Sequence, residues 1–193
     1  MTLGDGKRRV LMLLDEYSSG GAITKDKDIE NKMADFFDTA QKEMAGYKKI
    51  IRKTEISLAP GTGDFTYYPL PKDFGKTFRV WKNGRMIAGY PVIGGKLAVP
   101  SDESGTIILE YFAMPETITP STPDDYEFEV SEDAANCLPF YVAAQHLIAD
   151  LVVDYGAFWQ MYLNMRAALD TSLPSSGGAA HVSQKLYSGC RRR

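Results

Sequence analysis

The sequence predicts an α+β chain: an antiparallel helical bundle of about four helices, an inserted small antiparallel β-sandwich or barrel, and an extended C-terminal tail. Three observations predict it. Apolar residues recur at three- and four-residue spacing towards both ends of the chain, whereas residues 50–113 alternate with period two between turn pairs. Residues 174–178 then read Pro-Ser-Ser-Gly-Gly, a spacer composition. Helices at both ends most simply pack on one another. The expected units are therefore 1–49 with 116–170 as the helical domain, 50–115 as the β insertion and 171–193 as a flexible arm.

Leu3, Lys7, Val10, Leu14 and Tyr17 step by four and three, which predicts a first amphipathic helix ended by Ser18-Ser19-Gly20-Gly21. Asp26 or Asp28 should cap a second, in which Ile29, Met33, Phe36, Phe37, Ala40, Met44 and Tyr47 share one face. Strands are expected at 50–58, 65–70, 77–82, 85–90, 90–93, 96–99 and 107–113. Asn83-Gly84 is the strongest two-residue hairpin signal, and Gly94-Gly95 marks another tight turn. A Pro/Thr/Ser connector follows at 115–123, then the acidic stretch up to Asp133.

Residues 131–170 form the longest helical pattern, with Ser131 as a plausible N-cap and Glu132 and Asp133 in the first turn. Between Ala134 and Val153 only Asn136, Gln145, His146 and Asp150 interrupt an all-round apolar surface. A helix of that kind packs on several neighbours or joins other subunits. Pro139 predicts either a bend at 135–139 or a helix that begins there. After a break at 154–156, Phe158, Trp159, Tyr162, Met165, Arg166 and Leu169 predict a last helix.

Composition narrows the function. The 193 residues are 44% apolar and carry a net charge of −3, so a core is available and no basic field favours nucleic acid. Charge is uneven: 116–133 holds seven acids and no Lys or Arg, whereas the chain closes on Arg191, Arg192 and Arg193. Cys137 and Cys190 make neither a disulfide framework nor a zinc site, which points to a reducing compartment. The run 11–14 is too short for a secretory core, and no stretch reaches membrane-spanning length; a protein assembled inside a cell, without membrane, is expected.

No chemical constellation emerges. His146 and His181 lack partners at metal-ligand spacing, and His146 reads best as a core or interface histidine. Asp150 and Asp154 lack a third ligand, Gly61-Thr62-Gly63 lies between strands as a turn, and Cys137 on an apolar helix is packing. No cofactor, metal or catalysis is expected. The aromatics Tyr67, Tyr68, Phe74, Phe78, Trp81 and Tyr90, interleaved with Lys72, Lys76, Arg79, Lys82 and Arg85, can stack a sugar or a single strand, although alternation buries half of them.

Three segments carry a resemblance: Tyr68-Pro69-Leu70-Pro71-Lys72-Asp73-Phe74; Glu132-Asp133-Ala134-Ala135 leading to Leu138-Pro139-Phe140-Tyr141-Val142-Ala143-Ala144; and Phe158-Trp159-Gln160-Met161-Tyr162-Leu163-Asn164. With helices flanking a β insertion, they resemble the head–tail connector adaptor (head completion) proteins of tailed bacteriophages, over most of residues 1–170. The resemblance implies a virion neck protein, assembled in the host cytoplasm, that forms a dodecameric ring on the portal. It would join the head to a tail or stopper protein, with DNA passing through the channel unbound. It further implies a ring interface along 138–152 and the last helix, with Leu138, Tyr141, Val142, Leu147, Phe158, Trp159 and Tyr162. A portal-docking arm would use Val182, Leu186, Tyr187, Arg191, Arg192 and Arg193, and channel-facing acids would be Asp124, Asp125, Glu127 and Glu129. The alternatives are a tail-completion or terminator protein, or a β module that binds carbohydrate or nucleic acid.

Overall fold

A computed structural model of the chain describes residues 1–14, 27–149 and 155–173. The helices are α1 (Leu3–Leu13), α2 (Lys27–Tyr47), the single turn α3 (Glu132–Ala135), α4 (Leu138–Ala149) and α5 (Gly156–Ala167). The strands are β1 (Ile50–Leu58), β2 (Phe65–Pro69), β3 (Phe74–Lys82), β4 (Arg85–Ile87), β5 (Val92–Ile93), β6 (Lys96–Pro100) and β7 (Gly105–Ala113).

The architecture corrects the expectation of a four-helix bundle with a small inserted sandwich or barrel. It is a mixed α+β chain whose seven strands form two separate antiparallel sheets, ordered β1-β7-β3-β4 and β2-β6-β5, and neither sheet closes on itself. The helices do not form an antiparallel bundle either. They converge on α4, which packs against α1, α2 and α5. Three neighbours within one chain are the physical reason α4 is apolar on every side.

Pairing in the larger sheet is mostly non-local. β1 pairs with β7 along its whole length, from Ile50 opposite Ala113 to Leu58 opposite Gly105, so the chain enters and leaves the strands at adjacent residues. Turn chemistry sets the hairpins. Asn83 and Gly84 both have positive φ, 50° and 73°, joining β3 to β4, and Gly94 and Gly95 do the same between β5 and β6. One core joins the sheets: Leu58, Val80, Ile107, Leu109 and Tyr111 of one meet Leu97 and Val99 of the other. Burying such side chains contributes about 1.5–3 kcal/mol each.

A second core unites Leu3, Val10 and Leu11 of α1 with Met33, Phe37 and Met44 of α2, and with Leu138, Val142 and Tyr162 of α4 and α5. Thr2 caps α1 in a reciprocal box with Asp5, each side chain accepting from the other's backbone N–H. Gly6 lets α1 lie directly on the Phe37 ring, where an added Cβ would stand 2.9 Å from Cζ.

The stretch 131–149 divides at Pro139. Ser131 begins α3 without a side-chain capping bond, and α4 starts at Leu138, so Pro139 sits in a first turn, where its missing N–H costs little. Asp28 lies within α2; Asp26, the 18–21 turn and the arm are outside the described residues, as are Asp150 and Asp154.

Candidate functional site

The acidic connector is tied to the chain that carries it. A turn at 124–125 leads into a single bridge between Glu127 and Thr2, and from there Phe128 and Val130 turn inward to the helical core while Asp125 and Glu127 stay exposed. Backbone bonds from Leu3 to Tyr126 O (2.8 Å), from Gly4 to Asp124 O (2.9 Å) and from Phe128 to Met1 O (3.2 Å) stitch it along α1. Of the four acids expected to face a channel, two are engaged within the chain. Lys7 Nζ donates to Asp124 at 2.7 Å, and Arg52 Nη2 donates to Glu129 at 2.7 Å.

Arg52 also joins Asp73 at 2.6 Å, and Tyr111 Oη donates to that carboxylate, so one guanidinium couples the sheet to the connector. Its acidic neighbours raise the guanidinium's pKa further, led by the hydrogen bond to Asp73. Gln41, fully buried on α2, uses its whole amide there. Nε2 donates to Glu116 O and Tyr126 Oη, both at 3.2 Å, and Glu129 N–H donates to Oε1 at 3.0 Å. Asp38 accepts from Ile118 N–H (2.9 Å) and from Lys42 (2.7 Å).

The expected ring-interface residues fall into two groups. Leu138, Tyr141, Val142 and Tyr162 are buried inside the chain, so their apolar surface is already spent on α1, α2 and α5; that assignment is corrected. Tyr141 packs on Trp159 and edge-on to Tyr162, with centroids 5.9 and 5.2 Å apart. Tyr162 Oη donates to Glu43 at 2.7 Å, and Arg166 reaches the same carboxylate while lying over the Tyr47 and Tyr162 rings. Burial, with Glu43 alongside, holds the Tyr162 phenol protonated far above the ordinary range. Leu147, Phe158 and Trp159 are half-buried. The expected arm residues, from Val182 to Arg193, lie outside the described residues.

Outward apolar side chains around the helices are instead Met12 on α1 (64% exposed), Tyr47 at the end of α2, Ile148 at the end of α4, Tyr155 before α5 and Met161 on α5, and the strands carry others at Phe65, Tyr67, Met86, Val92 and Ile93. A groove of about 350 Å³ between α1 and α4 is lined by Met12, Leu13, Pro139 and Phe140, with Arg9 donating to Asn136 at 2.7 Å on its rim. Hydropathic spacing pointed to α4 and α5 but not to which turns stay uncovered, because that depends on where α1 and α2 land.

Among the described residues the reactive groups are not assembled into a centre. Burial pushes the Cys137 thiol up, away from the nucleophilic thiolate, and its Sγ leans on Asp133 O. His146 is buried on α4. Among the described residues no group of three His, Cys, Asp or Glu side chains is placed to hold a metal ion, and no helix is long and apolar enough to cross a membrane.

On the sheets, Trp81 and Phe78 face away from the shared core. Trp81 stands opposite Ile108 of β7 and Met86 of β4, and Phe78 packs on Phe112 with ring centroids 4.9 Å apart. Alternation within β3 sends Val80 inward and its neighbour Trp81 out. Compared with known proteins, the chain matches no family model and no curated protein.

Proposed function

We propose that the protein is a structural subunit of a tailed-phage neck, a head–tail connector adaptor that forms a ring of copies and docks on the portal. The observation that carries this reading is the apolar surface left on the helices at Met12, Ile148, Tyr155 and Met161, beside the three segments that resemble connector adaptors. Where uncovered apolar side chains form one contiguous patch, they mark a protein contact. A closed ring needs two different, mutually fitting patches on each subunit. Two are available on different faces of α4: the α1–α4 groove at Phe140, and α5, on the side where Tyr141 packs.

In this reading the subunit contact uses the exposed turns and not the buried Leu138, Tyr141, Val142 and Tyr162. Asp125 and Glu127 are the acids left to face a channel, repelling DNA so that it slides. The arm at 171–193 is the portal contact, since a tethered segment gains affinity from its high effective concentration.

Deleting 177–193 tests the arm. The truncated chain should keep the circular dichroism and melting temperature of the full chain and lose co-purification with the portal. Undiminished portal capture would remove the arm assignment, and capture by tail-tube protein instead of portal would favour a tail-completion role.

A further inference from the structure

We propose that the outer face of the four-stranded sheet around Trp81 is a binding site for a neutral sugar chain. This goes beyond the neck reading and does not depend on it. The ordinary place for a tryptophan in so small a pair of sheets is the core between them. Here Val80 fills that position, and the register sets the half-buried indole on the opposite face, between Ile108 and Met86.

The indole borders an open groove of about 350 Å³, at the small end of ligand sites, floored by Ile108. Around it stand Lys53, Glu55, Asn83, Thr106 and Glu110. The side chains of Lys53, Glu55, Asn83 and Thr106 hold no hydrogen bond or ion pair among the described residues, and Glu110 meets only Arg79, at 3.8 Å. The Trp81 Nε1–H is occluded and donates to no acceptor. That donor is enclosed by the chain itself and out of a ligand's reach, so what the indole offers the groove is its apolar ring.

Aromatic area flanked by uncommitted carboxylate, amide, hydroxyl and ammonium groups is the chemistry a pyranose requires. Its C–H face stacks on the indole, and its hydroxyls both donate and accept, matching a mixed set of donors and acceptors. Charge decides against the other ligand that stacks on aromatics. The two carboxylates of the groove are balanced by Lys53 and by the Arg79 guanidinium beside Glu110, and a phosphate backbone needs a cationic surplus.

Trp81 and Trp159 are the two tryptophans of the chain. Trp159→Phe therefore leaves Trp81 as the sole indole emitter, and its fluorescence can be titrated with cellohexaose, chitohexaose, maltohexaose and laminarihexaose. The expected result is a saturable change with at least one of them at millimolar or lower concentration, weakened at least tenfold by the further change Glu55→Gln. Isothermal titration of the unmodified chain against the same sugars, with Trp81→Ala as the control, gives the same reading should Trp159→Phe disturb folding. No response to any sugar up to about 10 mM, a contact too weak to be a site, overturns the proposal. A response to oligo(dT) alone, or a shift that tracks protein concentration, also overturns it by giving the face to nucleic acid or to a second copy.

Discussion

Two glycines in helices should answer the same substitution with opposite signs. Replacing a helical glycine with alanine ordinarily stabilises by about 0.5–1 kcal/mol, because alanine loses less backbone entropy on folding. Gly46, in the last turn of α2, is exposed with nothing within 4 Å of a new Cβ, so Gly46→Ala should show that gain at about its lower end. Gly6 offers the same backbone gain but no room. An added methyl would meet Phe37 Cζ at 2.9 Å, Phe37 Cε1 at 3.0 Å and Phe128 Cε2 at 3.3 Å. The Phe37 ring cannot swing aside, since it is fully buried and packed on Phe128 at 5.3 Å between centroids. Overpacking of this kind costs about 1–3 kcal/mol, so Gly6→Ala should be destabilising by up to about 2.5 kcal/mol after the propensity gain is subtracted. Urea unfolding of both variants beside the wild type measures the pair. If Gly6→Ala stabilises as much as Gly46→Ala, α1 does not rest on α2 as described, and the helical core needs redrawing.

Tyr162→Phe removes the hydroxyl that donates to Glu43 while leaving the ring stack intact, and Glu43 keeps Arg166. A hydrogen bond to a charged group at this partly exposed carboxylate is worth about 1.5 kcal/mol, so the melting temperature should fall by roughly 3–6 °C; an unchanged value would discount the bond. Asp133, held by Lys48 at 2.6 Å and by Ser131, has its pKa lowered to about 2. A depressed carboxylate stabilises the fold above its unfolded value near 3.8 and loses that contribution as pH falls towards 2. Because the carboxylate is 47% exposed, the contribution stays below about 1 kcal/mol. Asp133→Asn should thus be slightly less stable than wild type at pH 5–7, with the two curves converging by pH 2; a constant gap across that range would contradict the assignment.

Local chemistry was legible in the sequence, and long-range partnership was not. Asn83-Gly84 and Gly94-Gly95 announced their turns because a left-handed backbone demands such residues. Strands meet at both turns as expected, but β3 starts earlier, at Phe74, β4 stops at Ile87 and β5 is only Val92–Ile93. Nothing local to β1 says that it pairs with β7, which begins 47 residues after β1 ends, so two open sheets were read as a small barrel or sandwich. The all-round apolarity of α4 had two explanations, neighbours in the chain or neighbours in an assembly, and the second was favoured; α1, α2 and α5 supply the first. That same choice put Tyr141, Val142 and Tyr162 at a subunit interface when they belong to the chain's own core. Lys7 inside an apolar stripe was a signal that could have been followed. A buried lysine needs an acid, and the acidic stretch at 116–133 supplies Asp124. Thr2 and Asp5, three apart ahead of Val10 and Leu11, likewise spelled a capping box.

The ring itself is the most direct test of the neck reading. If the neck reading holds, single-particle electron microscopy of the full chain, alone and mixed with the portal protein which that reading assigns to it, should show closed rings of the chain seated coaxially on the portal. In those rings the α1–α4 groove of one copy should face α5 of the next. A chain that remains monomeric in both samples, at concentrations well above those at which obligate rings assemble, would contradict it.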